Sequence, residues 1–236
     1  SNFQIFYLIC YMQYLILYLI NGLLTIFAEH TEYRMLMYAT KVMLMPLLAL
    51  YFYQQSKEIK NYKFIYLALF FSWWGDIFLM FPRNESSPNA KLLFICGLVS
   101  FLIGHFNYII HFVKEVKPRP KVTVIVEKPY LILPFLVFIF LFLKLLYPSL
   151  GPMKTPVTVY GIVITCMMMA AFNRKNLVSN ISFNLVFSGA VLFVLSDSCI
   201  AINLFYKPFE LARITIMSTY IIAQLLVIKG ILAEKK

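Results

Sequence analysis

The chain has 236 residues, of which 61% are apolar and only 13% charged, with a mean hydropathy of +0.80. Ordinary globular domains carry about 25% charged residues, so this composition leaves no room for a soluble domain of any size and points to a membrane-embedded chain. The formal charge of +11 does not indicate a nucleic-acid partner, because Lys and Arg sit in short segments between apolar runs, as in positive-inside membrane topology.

Eight apolar runs follow one another: Ile5–Phe27, Met35–Tyr53, Phe64–Phe81, Leu92–Phe112, Tyr130–Tyr147, Thr155–Phe172, Phe183–Phe205 and Ala212–Ile231. Each has about the 17–25 residues a helix needs to cross ~30 Å of hydrocarbon. None alternates apolar and polar residues as a barrel strand does. The expected fold is all-α, a single transmembrane domain over residues 1–236 built as a polytopic bundle of about eight helices. Pro46, Pro134 and Pro156 lie in or at the starts of runs, where membrane helices tolerate them. The first run has no basic flank and is too long for a signal peptide's apolar core, so it reads as a span. Cys10, Cys96, Cys166 and Cys199 all lie inside runs with no CxxC spacing, and read as small core residues.

With eight spans both termini share one side. That side carries 13 basic residues (Lys57, Lys60, Lys63, Lys114, Lys117, Arg119, Lys121, Lys128, Arg174, Lys175, Lys229, Lys235, Lys236). The other carries six (Arg34, Arg83, Lys91, Lys154, Lys207, Arg213), and Lys41 and Lys144 fall within spans. The excess places both termini in the cytoplasm.

Only two aspartates occur, and both are inside runs: Asp76 in FSWWGDIFLMF and Asp197 in SGAVLFVLSDSCIAINLF. An ionised carboxylate at the centre of a membrane helix costs roughly 2.5–3.5 kcal/mol even on the lenient insertion scale. Interhelical polar bonds return only about 0.6 kcal/mol on average, which is a weak reason to bury acids, so both read as functional. Asp76 is thirteenth of the 18 residues in its run and Asp197 fifteenth of 23, so they lie at matching depth and can share a cavity. Lys41, seven residues into the second run, is the expected cation that keeps one of them ionised. His105 shares a helical face with Tyr108 and Phe112, beside Gly97 and Gly104, which allow close helix approach.

On the eighth run Arg213, Met217, Tyr220 and Gln224 recur at helical spacing and form a polar-tinged face. Ser72 precedes Asp76 by four residues and can hydrogen-bond it, whereas Asn203, six after Asp197, faces the rim. No metal is expected: His105 and His111 point along divergent faces, His30 lies near a loop, and no third ligand has a usable spacing. Gly75-Asp76 matches Ser196-Asp197, and Gly104-His105 matches Ala223-Gln224 at similar intervals. That pattern predicts two four-helix units in parallel repeat.

These residues fall in four longer motifs: GDIFLMF at Gly75–Phe81, FLIGHFNYI at Phe101–Ile109, GAVLFVLSDSCIAINLF at Gly189–Phe205 and MSTYIIAQLLV at Met217–Val227. Over roughly residues 35–230 their order and spacing resemble the lysoplasmalogenases, the YhhN-like multispan membrane proteins, and Lys41 matches that family's lysine in an early span. The resemblance implies a bundle of about eight helices that binds a lysophospholipid within the bilayer. It implies hydrolysis of the vinyl ether bond of lysoplasmalogens to a fatty aldehyde and glycerophosphoethanolamine or glycerophosphocholine, with no cofactor and no metal.

A vinyl ether hydrolyses by protonation of its β-carbon, giving an oxocarbenium ion that water captures. The hemiacetal then collapses to aldehyde and alcohol. One of Asp76 and Asp197 is expected to be the general acid, and the other to stabilise the cation and activate water. Lys41 or His105 would bias which is which. Tyr108, Asn203, Arg213, Tyr220 and Gln224 are the expected substrate contacts, with Arg213, Tyr220 and Gln224 nearest the phosphate. The membrane would be endoplasmic reticulum in a eukaryote and inner membrane in a bacterium. The competing reading is a proton-coupled transporter that uses the two intramembrane aspartates. Against it, no paired Gly/Pro-interrupted spans appear.

Overall fold

The computed structural model describes residues 2–56, 62–81, 89–116 and 122–234, with side chains from residue 12 onward. Lys57, Lys60, Arg83, Lys117, Arg119, Lys121, Lys235 and Lys236 of the charge count, and the Cys10 side chain, lie outside the described residues. Among the described residues the elements are α1 (Asn2–Thr31), α2 (Arg34–Ser56), α3 (Lys63–Met80), α4 (Ala90–Val116), the single turn α5 (Val124–Glu127), α6 (Leu133–Leu146), α7 (Lys154–Phe172), α8 (Asn180–Ala201) and α9 (Ala212–Ala233), with short 3₁₀ turns flanking α6 and no strand. Eight segments are long and apolar enough to cross a membrane, and each coincides with one of the eight predicted runs. The protein is an integral multi-pass membrane protein.

The chain forms two compact units, residues 1–101 and 102–236. Their boundary falls inside α4.

In the first unit, α1 and α2 are tied where the Asn21 amide donates to the Thr40 carbonyl at 2.7 Å. The Trp73 indole of α3 donates to the Val42 carbonyl of α2 at 2.8 Å. On α3, residues Ile65, Ala68, Leu69, Ser72, Gly75, Asp76 and Met80 are buried. They follow the three-and-four spacing of a single helical stripe, so the same periodicity that packs the apolar side chains turns Ser72 and Asp76 inward. Gly75 has a local reason to lack a side chain. A Cβ there would sit 2.5 Å from the Phe101 ring, far inside contact distance.

In the second unit, α8 and α9 form the closest pair. A Cβ on Gly189 would lie 2.8–2.9 Å from Val227 and the Ala223 carbonyl, and one on Gly230 equally close to Val186. These two positions let the helices pack backbone against backbone, where dispersion rather than the hydrophobic effect supplies the attraction inside a membrane. At the other end of the pair, the Ser196 hydroxyl donates to the Ile216 carbonyl at 3.0 Å. Helix α8 begins with Ser179, whose side chain accepts from the Ser182 amide as an N-cap. Helix α6 buries only Phe135 and Leu146 and is otherwise open to its surroundings, which a run of Leu, Val, Ile and Phe tolerates in lipid.

Arg174, in the turn after α7, is fully buried. Its Nε donates to Glu115 at 2.7 Å, Nη2 to the Ser182 hydroxyl at 2.7 Å and Nη1 to the Ser182 carbonyl at 3.3 Å. The guanidinium also lies 5.4 Å from the centre of the Phe112 ring. Arg174 lies in the segment between two spans, where the charge count has it, and it also binds the end of α4 to the start of α8.

Candidate functional site

Three helices of the second unit bring together His105 from α4, Tyr160 from α7 and Asp197 from α8. The Tyr160 hydroxyl donates to Asp197 Oδ2, and His105 Nε2 lies 3.0 Å from the same hydroxyl and 3.4 Å from the same carboxylate oxygen. His105 is 1% exposed, while the Asp197 side chain keeps 13% exposure. Edge-on contacts with Phe193 at 4.7 Å and Tyr160 at 5.6 Å fix the imidazole plane. A phenol, an imidazole and a carboxylate in direct sequence can hold, pass and accept a proton away from bulk water, as acid–base chemistry requires.

The predicted contact residues form a second polar group close by. The Tyr108 hydroxyl donates to Gln224 Oε1 at 2.7 Å, and Gln224 Nε2 donates to the Tyr220 hydroxyl at 3.5 Å. All three side chains are buried. Phe193 joins the two groups, since its ring also meets Tyr220 edge-on at 5.5 Å. Met217, Tyr220 and Gln224 occupy the inward face of α9 as their spacing implied, while Arg213 stands exposed at the start of that helix. Past Asp197, α8 widens into a π-helical turn, Ile202–Tyr206, a feature common near functional sites. Asn203 closes that turn by accepting the Phe209 amide at 3.3 Å.

In the first unit Asp76 is 3% exposed and Ser72 is 1% exposed, on the same buried stripe. Lys41 is also buried and lies 3.7 Å from Glu29 Oε1, at side-chain exposures of 8% and 0%. A glutamate of α1 is therefore a carboxylate neighbour of Lys41. Among the described residues no three His, Cys, Asp or Glu side chains gather to hold a metal ion.

Tyr160 and Glu29 were missed in the sequence. Tyr160 is one of 16 tyrosines and stands in VTVYGIV with nothing to mark it. Glu29 left a signal: it lies two residues beyond the predicted end of the first span, and α1 runs on to Thr31, which draws it into the helix.

No solved structure matches the chain. The human protein named lysoplasmalogenase TMEM86B is 28% identical over 156 residues, which is 65% of this chain and 56% of that protein. The chain thus spans a little over half the length of that relative. Residues 36–231, covering all the site residues described above except Glu29, match the YhhN family, and the chain belongs to that family.

Proposed function

We propose that this protein is a membrane hydrolase that cleaves the vinyl ether bond of lysoplasmalogens, releasing a fatty aldehyde and a glycerophosphodiester. The observation that carries the reading is the Tyr160–Asp197–His105 group, with its phenol and imidazole buried, in a family with a relative named for that activity. The reaction adds the elements of water and needs no redox partner. A proton is delivered to the β-carbon, water adds to the oxocarbenium carbon and loses a proton, and the hemiacetal breaks to alcohol and aldehyde.

Asp197 suits the anionic role. Its Oδ2 accepts from Tyr160 and lies beside the imidazole, so the carboxylate is held in one orientation where positive charge would develop. The same carboxylate takes up the proton released by the attacking water, and His105 beside it biases its charge. Asp76 is assigned the acid's role on its burial alone, with Lys41 tuning its charge. The buried Tyr108–Gln224–Tyr220 group supports a role in lining the lipid's path, and the exposed Arg213 suits the phosphate. Asn203 would act at the rim through the turn it closes. The charge asymmetry of the loops supports cytoplasmic termini, in endoplasmic reticulum or a bacterial inner membrane.

The test is aldehyde release by purified protein from a 1-alkenyl lysophospholipid, with the 1-acyl analogue as control. Aldehyde should appear from the first substrate alone. Asp197→Asn and Asp76→Asn should each lower the rate by about 10²–10⁴-fold, the usual contribution of a positioned acid or base. If both variants stayed within a few-fold of wild type, the carboxylate mechanism would be wrong. No aldehyde from folded wild-type protein would remove the activity itself.

A further inference from the structure

The hydrogen-bond pattern around His105 leaves one atom over. The Tyr160 hydroxyl has a single proton and gives it to Asp197 Oδ2. His105 Nε2, 3.0 Å from that hydroxyl oxygen, must therefore be the donor to it, and the network assigns the imidazole its Nε2–H. In the neutral ring Nδ1 is then an acceptor. Nδ1 is buried, in a side chain 1% exposed, and has no hydrogen-bond partner among the described residues. Buried polar atoms in native proteins are nearly always satisfied, and an exception calls for an explanation.

Packing does not supply one. The ring is fixed on both sides by Phe193 and Tyr160, and its other nitrogen is engaged, so rotation to rescue Nδ1 would break the contact with Tyr160. A site with one buried polar atom left open discriminates strongly, because a ligand without the matching group leaves that atom unpaired. A hydroxyl fits best, since it both donates and accepts and so satisfies Nδ1 in either protonation state of the ring. In a single-chain glycerophospholipid one hydroxyl is invariably present beside the ether linkage: the free 2-hydroxyl of the glycerol backbone.

We propose that His105 Nδ1 receives the free 2-hydroxyl of the bound lysolipid, making His105 the residue that distinguishes single-chain from two-chain substrates. The proposal rests on the lysolipid reading above, and it is tested without turnover. Two 1-O-alkyl glycerophosphocholines that lack the vinyl bond, one with the 2-hydroxyl and one 2-deoxy, are titrated into the purified full-length protein. Wild type should bind the hydroxyl ligand at least about tenfold more tightly. In His105→Gln the amide reaches the Nε2 position and leaves nothing at δ, so the preference should fall to about one while 2-deoxy affinity stays within about threefold. His105→Asn, which places its amide near the δ position, should keep part of the preference.

A third measurement needs no variant. With the three histidines labelled with ¹⁵N, the His105 Nδ1 resonance should move on adding the hydroxyl ligand and stay in place with the 2-deoxy one. Equal binding of the two ligands by wild type, as expected if Nδ1 held only water, overturns the proposal. So does a preference that survives in His105→Gln, or an Nδ1 resonance that responds equally to both. If discrimination behaves as expected but no aldehyde is ever released, the hydroxyl site stands and the hydrolase reading falls. Vinyl ether cleavage without discrimination has the opposite meaning.

Discussion

Arg174 and His105 are equally buried, at 0% and 1% exposure, and the protein treats them in opposite ways. Every guanidinium nitrogen of Arg174 is bonded, to Glu115 or to Ser182. Among the described residues His105 has one nitrogen engaged and one left open. A satisfied buried charge is a fastener: it fixes the chain around it and has nothing to offer a ligand. A partly satisfied group beside a partly exposed carboxylate retains capacity for chemistry. In a molecule this apolar, polarity alone does not mark a site, whereas unspent bonding capacity does.

The largest effect expected from breaking this contrast is on the fastener. Arg174→Met should cost about 3 kcal/mol of stability, toward the low end for a broken buried pair because the Glu115 side chain keeps 14% exposure. It should appear as a lower midpoint of thermal unfolding in detergent, with aldehyde release per folded molecule unchanged. A variant of normal stability and impaired turnover would place Arg174 with the reactive group instead.

Tyr160→Phe makes the converse change. It removes one hydrogen bond to a carboxylate, and bonds to charged groups are worth about 1.5–3 kcal/mol. Turnover should fall roughly 10- to 100-fold, with KM less affected than kcat and helicity by circular dichroism preserved. Unchanged turnover would reduce the phenol to packing.

Glu29→Gln is expected to do least. Its contact with Lys41 is 3.7 Å long, beyond the length of a strong charge-assisted hydrogen bond, and glutamine can still accept. A loss of about 1 kcal/mol in stability is expected. If turnover dropped more than tenfold at constant stability, the Lys41–Glu29 pair would join the reactive class.

The spans were legible because each is a long apolar run, and the hydrocarbon thickness sets its length with little help from tertiary contacts. His105, Tyr108, Tyr220 and Gln224 were legible as polar residues on helical faces that turn out buried. Tyr160 was not, because an amphipathic residue is equally at home at an interface, in lipid or in a core. The fastening role of Arg174 was not legible, because a charge count assigns residues to sides from their position between runs and knows nothing of burial. Glu29 was not legible as a neighbour of Lys41 because a span boundary drawn at Phe27 left it outside the first span. Pattern reveals which residues are out of place in hydrocarbon. It does not reveal which of them meet.

The glycine-mediated approach of α8 and α9 also has a consequence for how the protein is made. These helices are neighbours in sequence, joined by a short connection, and they pack backbone to backbone at Gly189 and Gly230. They can pair as a hairpin while still leaving the translocon, so the apolar majority of both helices carries Asp197 into the bilayer against its own preference for water. That leaves α8 little tolerance for another charge, each costing roughly 2.5–3.5 kcal/mol on insertion. A second charge on this helix would therefore be met first as protein missing from the membrane, before any loss of chemistry could be measured.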